Sequence, residues 1–222
     1  MPRELCLEIY EKFPKLSDAK LTKDIREFKY IAYQMNKYNK LLEEVIYAFQ
    51  EDIVVKLVSE ICNIKNPLPD ENLYAGGLSL MGKDNFLNPH LDNSHDKDRN
   101  RWRVLNLLYY VTPNWSQKNG GNLELWNKGL NNSPIEIVSK FNRLVVMATH
   151  SNSWHSVNKV GVDTLRCCVS NYYFSETPLL KEDSFHVTLF RGRKSEQLKD
   201  VFLRLDNALR SSVRKIFKKG IR

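Results

Sequence analysis

Six short runs rich in β-branched and aromatic residues, LSLM, RVLNLLYYV, NLELW, IEIVS, RLVVMA and RCCVSNYYF, follow one another between residues 78 and 174. Polar or glycine-bearing segments separate them, and Gly120-Gly121 marks a turn between two of them. Such runs are short for helices, and several in series suggest a β-sandwich or jelly roll. Helical patterns flank this centre. Leu42, Val45, Ile46, Phe49, Ile53, Leu57 and Ile61 recur at helical spacing, with Glu43, Glu44, Glu51 and Lys56 among the polar positions. Asn66-Pro67-Leu68-Pro69-Asp70 ends that region, because proline cannot continue a helix. Near the C-terminus, Leu198, Val201, Phe202, Leu205, Leu209, Ser212, Val213, Ile216 and Phe217 make one helical face. Arg204, Arg210, Arg214, Lys215, Lys218 and Lys219 occupy much of the rest, and Gly220 is placed to cap the end.

The expected fold is therefore α+β with a mainly β core. It is read as one domain over residues 1–222: mainly helical support in 1–70, a jelly-roll core in 74–176, and a basic amphipathic helix in 191–222. A chain of 222 residues is long enough for one sizeable core. Its 42% hydrophobic and 27% charged residues are those of an ordinary globular protein. No apolar run approaches the ~20 residues of a membrane span. The opening MPRELCLEIYEKF carries charges throughout and does not read as a secretory signal, so a cytoplasmic location is expected. Cys6, Cys62, Cys167 and Cys168 form no CxxC pair and read as reduced, mostly buried thiols. The net charge of +8 resides in residues 191–222, while residues 1–190 sum to zero. An inference from overall basicity to nucleic-acid binding would misplace that charge.

Chemistry concentrates at His90-Leu91-Asp92, with Trp154-His155 and Arg166 downstream. Strand spacing of i and i+2 turns His90 and Asp92 to one face, and a distant His155 completes the set. Two neutral imidazoles and one carboxylate form the facial triad that suits Fe(II) and leaves about three positions free. A downstream arginine suits the acidic tail of an organic co-substrate, since a guanidinium holds a carboxylate with two parallel hydrogen bonds. An HxD pair alone is a weak signal, and its strength comes from the segments around it.

Those segments, NFLNPHLDN, RVLNLLYYVTPNW, GGNLELW, RLVVMATHSNSWHSVNKV and RCCVSNYYF, resemble the Fe(II)- and 2-oxoglutarate-dependent oxygenases of the prolyl-4-hydroxylase-like branch. They stand in that family's order over roughly residues 74–176. The resemblance implies a double-stranded β-helix, or jelly roll, with His90, Asp92 and His155 as iron ligands. It implies that Arg166, eleven positions after His155, binds the far carboxylate of 2-oxoglutarate, with Tyr110 assisting and Ser170 a further candidate on the same strand face. Many relatives carry another tyrosine before the HxD motif, where this chain has Met81. Asp92 is present, which disfavours the halogenating members. The implied reaction consumes 2-oxoglutarate and O2, releases succinate and CO2, and hydroxylates a C–H bond, with ascorbate compatible as a reductant.

Other residues carry paired readings. Arg103 orients Asp92, meets substrate or is a surface charge, and Asn93–Arg101, NSHDKDRNR, is either a lid or a solvated loop. Trp115 walls the pocket or fills the core, Trp126 is expected in the core, and Trp154 shapes the iron surroundings. His95 and His150 read as structural, and His186 is given no role. The basic helix suits nucleic acid, an anionic membrane or an acidic partner, but packing of its apolar stripe on the barrel explains it without a partner.

The expected function is a dioxygenase acting on a small metabolite such as an amino acid or natural-product intermediate. The alternatives are a prolyl-type protein hydroxylase, a nucleic-acid-associated oxygenase recruited by the basic tail, and a non-catalytic jelly-roll binding module. Nothing in the sequence speaks to oligomeric state.

Overall fold

A computed structural model describes residues 1–216. The chain opens with helix α1 (Arg3–Glu11), strands β1 (Lys20–Lys23) and β2 (Glu27–Ala32), and helices α2 (Lys40–Ala48) and α3 (Asp52–Cys62). The strands that follow are β3 (Leu68–Pro69), β4 (Gly77–Met81), β5 (Phe86–Leu91), β6 (Trp102–Tyr110), β7 (Leu123–Leu125), β8 (Ile135–Ile137), β9 (Arg143–Ala148), β10 (His155–Val157), β11 (Arg166–Ser175) and β12 (Leu189–Phe190). Helix α4 (Gln197–Ile216) comes last.

The strands pair in the order β8-β7-β10-β5-β2-β4-β11-β6-β9, with β1 on β2, β12 on β5 and β3 on β11. Every pairing is antiparallel. The sheet curls into a half-barrel, so that β5 and β10 line the same cavity as β6 and β11.

Period-two alternation along β11 explains how one strand serves both core and site. Arg166, Cys168, Ser170 and Tyr172 face the cavity, while Cys167 and Val169 face a core shared with α1 and α2. Cys167 and Cys168 thus lie on opposite faces. The outer core packs Cys6, Ile9, Leu42 and Ile46 of the helices against Leu78, Tyr109 and Val111. Full burial of each such aliphatic side chain stabilises by about 1.5–3 kcal/mol. On β6 the register shifts opposite Tyr173 and Phe174, leaving Val104 as an extra residue between Arg103 and Leu105. Arg103 is thereby turned inward, and it is buried.

Three sequence readings need correction. The apolar series from Leu42 to Ile61 is two helices, because α2 stops at Ala48 and α3 starts at Asp52. The interruption resets the helical phase. Val54, Val55, Val58 and Cys62 pack inward from α3, whereas Ile53, Leu57 and Ile61 are exposed. The N-terminal third also contains the β1–β2 hairpin, whose second strand sits between β4 and β5. Finally, α4 does not bury its apolar stripe. It docks through Leu203, through Asn207, which exchanges hydrogen bonds with the Phe190 backbone, and through Arg210, which donates to the Thr188 carbonyl. Leu198, Val201, Phe202, Leu205 and Leu209 are 53–81% exposed. Phe217, Lys218, Lys219 and the expected cap Gly220 lie outside the described residues, as do the side chains of Lys215 and Ile216.

Candidate metal centre and co-substrate pocket

The geometry brings His90, Asp92 and His155 together. His90 is the penultimate residue of β5, Asp92 lies just past its end, and His155 opens β10 directly opposite His90. One potential ligand atom from each residue lies within 4.8 Å of the other two. The Asp92 carboxylate oxygens stand 3.6 Å from His90 Nε2 and 3.8 Å from His155 Nε2, too far for hydrogen bonds. Each ring is oriented from behind. His90 Nδ1 lies 2.9 Å from the Asn88 carbonyl, and His155 Nδ1 lies 2.9 Å from the Ser153 carbonyl. A carbonyl only accepts, so both rings carry a proton on Nδ1, and in the neutral form each presents a bare Nε2. Phe190 stacks on His90 at 5.3 Å, and the tilted His155 ring lies 4.0 Å from His90.

Three lone-pair-bearing groups therefore converge with no proton among them, an arrangement that a bound cation would satisfy. The electrostatics agree with that donor set. Burial, and then the neighbouring His90, push the His155 pKa down to about 4, keeping the imidazole neutral. Burial opposes ionisation of Asp92, but the imidazoles in their protonated form, together with the Arg103 guanidinium, outweigh it and hold its carboxyl well below the usual range. Asn106 Nδ2 donates to Asp92 Oδ2 at 3.2 Å, and Arg103 Nη1 lies 3.8 Å from Oδ1. The Arg103 guanidinium also stacks over the Tyr172 ring at 4.2 Å. Arg103 is thus a support of Asp92 and not a surface charge.

The triad lies in the wall of a cavity of about 380 Å³. Arg166, Cys168, Ser170, Met81 and Leu108 line it with the triad. Arg166 is 3% exposed, yet among the described residues no carboxylate pairs with it. Its Nε donates to Ser139 Oγ at 2.9 Å, and Ser139 donates in turn to the Gly121 carbonyl at 2.7 Å. Gly121 adopts φ +64°, and a Cβ there would stand 2.8 Å from Arg166 Cδ. The Gly120-Gly121 turn therefore lets the backbone close on the arginine. Below the guanidinium lies the Tyr110 ring, 4.8 Å from it. Tyr110 does not itself border the cavity, and its buried hydroxyl has no hydrogen-bond partner among the described residues. Burial pushes that hydroxyl up to about 12. Met81 offers only its sulfur, 3.5 Å from Arg166 Nη1. A buried cation without a counter-ion beside an unsatisfied hydroxyl fits the carboxylate of an acidic co-substrate.

Other expected site residues fall elsewhere. Among the described residues, none of 93–101 borders the cavity. That loop is folded on itself, with Asp96 capping the Asn100 and Arg101 amides and His95 buried. Trp115 packs behind Met81 and Val157. Trp126 donates to Ser156 Oγ at 2.7 Å, next to His155. The same hydroxyl donates to Glu124 at 2.6 Å, and Glu124 receives both terminal nitrogens of Arg193. Sequence reasoning missed this clamp, whose parts are scattered. It also missed Lys29, Tyr33 and Tyr74 at the cavity, the first two carried by β2 and its end. The run FKYIA, with Lys20–Lys23 before it, was the available hairpin signal.

Residues 76–174 match the profile of the 2OG-Fe(II) oxygenase superfamily. Over that span, just under half of the chain, the protein is similar to a superfamily whose chemistry is oxygenation with Fe(II) and 2-oxoglutarate. No curated protein matches by sequence. Among solved structures, a prolyl-4-hydroxylase from Pseudomonas putida is similar with a TM-score of 0.60 and 14% identity, over 79% of this chain and 88% of that one. A prolyl hydroxylase from Trichoplax adhaerens, in complex with a hypoxia inducible factor peptide, gives 0.52 at 21% identity over 78% and 76%. HygX from Streptomyces hygroscopicus, with nickel, 2-oxoglutarate and hygromycin B bound, gives 0.50 at 12% identity over 79% and 80%. These likenesses establish the double-stranded β-helix fold. No helix among the described residues is long and apolar enough to cross a membrane.

Proposed function

We propose that His90, Asp92 and His155 hold Fe(II), that Arg166 anchors 2-oxoglutarate, and that the protein hydroxylates a C–H bond of a small metabolite. The observation that carries this reading is one cavity of about 380 Å³ holding both the converging triad and a buried guanidinium without a carboxylate partner. That volume is at the lower end of small-molecule sites, ~300–1,000 Å³. When bound, the iron supplies the oxidising chemistry that couples 2-oxoglutarate breakdown to substrate hydroxylation.

The chain's own residues position and seclude. The Asn88 and Ser153 carbonyls orient the two imidazoles, and Asn106 and Arg103 orient Asp92. Ser139 and the Tyr110 ring fix the Arg166 fork. Tyr110 would assist co-substrate binding from behind Arg166, while Ser170 offers a hydroxyl from the cavity wall. Leu87, Leu108, Leu123 and Val157 keep the surroundings apolar. Lys29, Tyr33 and Tyr74 would meet the substrate.

Succinate release tests this reading. Fe(II)-loaded protein is given 2-oxoglutarate and O2 with panels of small metabolites and of proline-bearing peptides. A metabolite-dependent rise, absent in Asp92→Ala, supports it. A rise with peptides alone moves the assignment to a protein hydroxylase. No turnover in any panel by a protein that binds neither metal nor 2-oxoglutarate favours a binding module.

A further inference from the structure

We infer that α4 is a docking face for an anionic phospholipid surface. Leu198, Val201, Phe202, Leu205 and Leu209 recur at helical spacing and are exposed by 81%, 53%, 64%, 63% and 66%. Scattered exposed apolar side chains are ordinary, but five in one stripe need a partner. The stripe cannot turn inward, because the opposite side of the helix is fastened to the barrel. Leu203 is fully buried, Asp200 takes both an amide and the Arg191 guanidinium, and Asn207 and Arg210 bond the β12 region.

Charge selects the occupant. Residues 191–222 carry +8 while the rest of the chain is neutral, and Arg204 stands exposed on the helix. The β1–β2 turn abuts α4 through the 3.5 Å Arg26–Asp206 pair. It brings exposed Ile25 to that flank, and the exposed Lys20 and Lys23 belong to the same hairpin. A second copy docked face to face would bring two strongly basic segments together. An anionic bilayer answers both the apolar stripe and the cations, and a helix of this kind lies in the interface without crossing it.

The full chain is mixed with vesicles of phosphatidylcholine alone and of equal parts phosphatidylcholine and phosphatidylserine, and bound protein is measured by flotation. Binding to the mixed vesicles is expected, weakened by salt and reduced about tenfold or more in Leu205→Glu and in Phe202→Ser. Both positions are exposed, so circular dichroism and metal binding should match the wild type. Equal binding to both vesicle types, or none to either, overturns the inference. So does a dimer by light scattering that Leu205→Glu converts to monomer, since the face would then belong to a second copy. Binding to duplex DNA without binding to vesicles would equally refute it.

Discussion

Replacing Arg166 separates an anchoring guanidinium from a merely structural one. Arg166 Nε is engaged by Ser139, so its two terminal nitrogens remain to hold a carboxylate. Arg166→Lys keeps the charge but loses the fork, and its ammonium cannot serve Ser139 and two carboxylate oxygens at once. One lost charge-assisted hydrogen bond costs about 1.5–3 kcal/mol, or roughly ten- to 150-fold in the dissociation constant. Arg166→Leu leaves a carboxylate entering an apolar pocket unpaired, a cost of about 3–5 kcal/mol or roughly 150- to 5,000-fold. Leucine replaces a buried charge that lacks a counter-ion, so folding should survive, and a thermal melt checks this. The assay is anaerobic calorimetry of Mn(II)-loaded protein with 2-oxoglutarate. The expected order of affinity is wild type, then Lys, then Leu, with Mn(II) affinity unchanged throughout. Equal 2-oxoglutarate affinity in all three would refute the reasoning and turn attention to Arg103 or Lys29, the other cations near the cavity.

Two more outcomes follow from the surroundings of the triad. In the metal-free protein the folded pKa of His155 is depressed from 6.5 to about 4, so the unfolded chain takes up its proton first. Its contribution to stability is intact above pH 6.5 and is lost as pH falls toward 4, by about 3 kcal/mol. Urea titrations near neutrality and near pH 4 should show a smaller loss in His155→Gln, and an identical loss would rule out this linkage. Glu124 is buried between Ser156 and Arg193, so Arg193→Met should strand its charge and destabilise by on the order of 3 kcal/mol. Pairing the change with Glu124→Gln should recover much of that loss. Additive losses in the double variant would show that the two side chains do not interact.

The triad was legible because two of its members share a strand face at i and i+2, and the third lies in a distinctive segment. Arg166 was reached through the family resemblance, eleven positions after His155 on a strongly patterned strand. What escaped depends on tertiary geometry. The alternation of LTK and FKYIA does not reveal that their hairpin enters the sheet between β4 and β5. The phase break at residues 49–51 hides in a continuous apolar series, because periodicity records spacing and not where a helix ends. In α4 the periodicity was read correctly, but the face that packs was not. Polar side chains that bond the barrel backbone outcompeted the apolar stripe for that surface. The Glu124–Ser156–Arg193 clamp joins three separated segments that share no local pattern.

The most direct measurement is titration of the metal-free protein with Mn(II) under anaerobic conditions, for the wild type and for Asp92→Ala. The assignment of His90, Asp92 and His155 predicts one ion per chain in the wild type. It also predicts affinity lower by at least about a hundredfold in the variant, with the fold unchanged. Undiminished binding in Asp92→Ala, or no binding by folded wild-type protein, would contradict it.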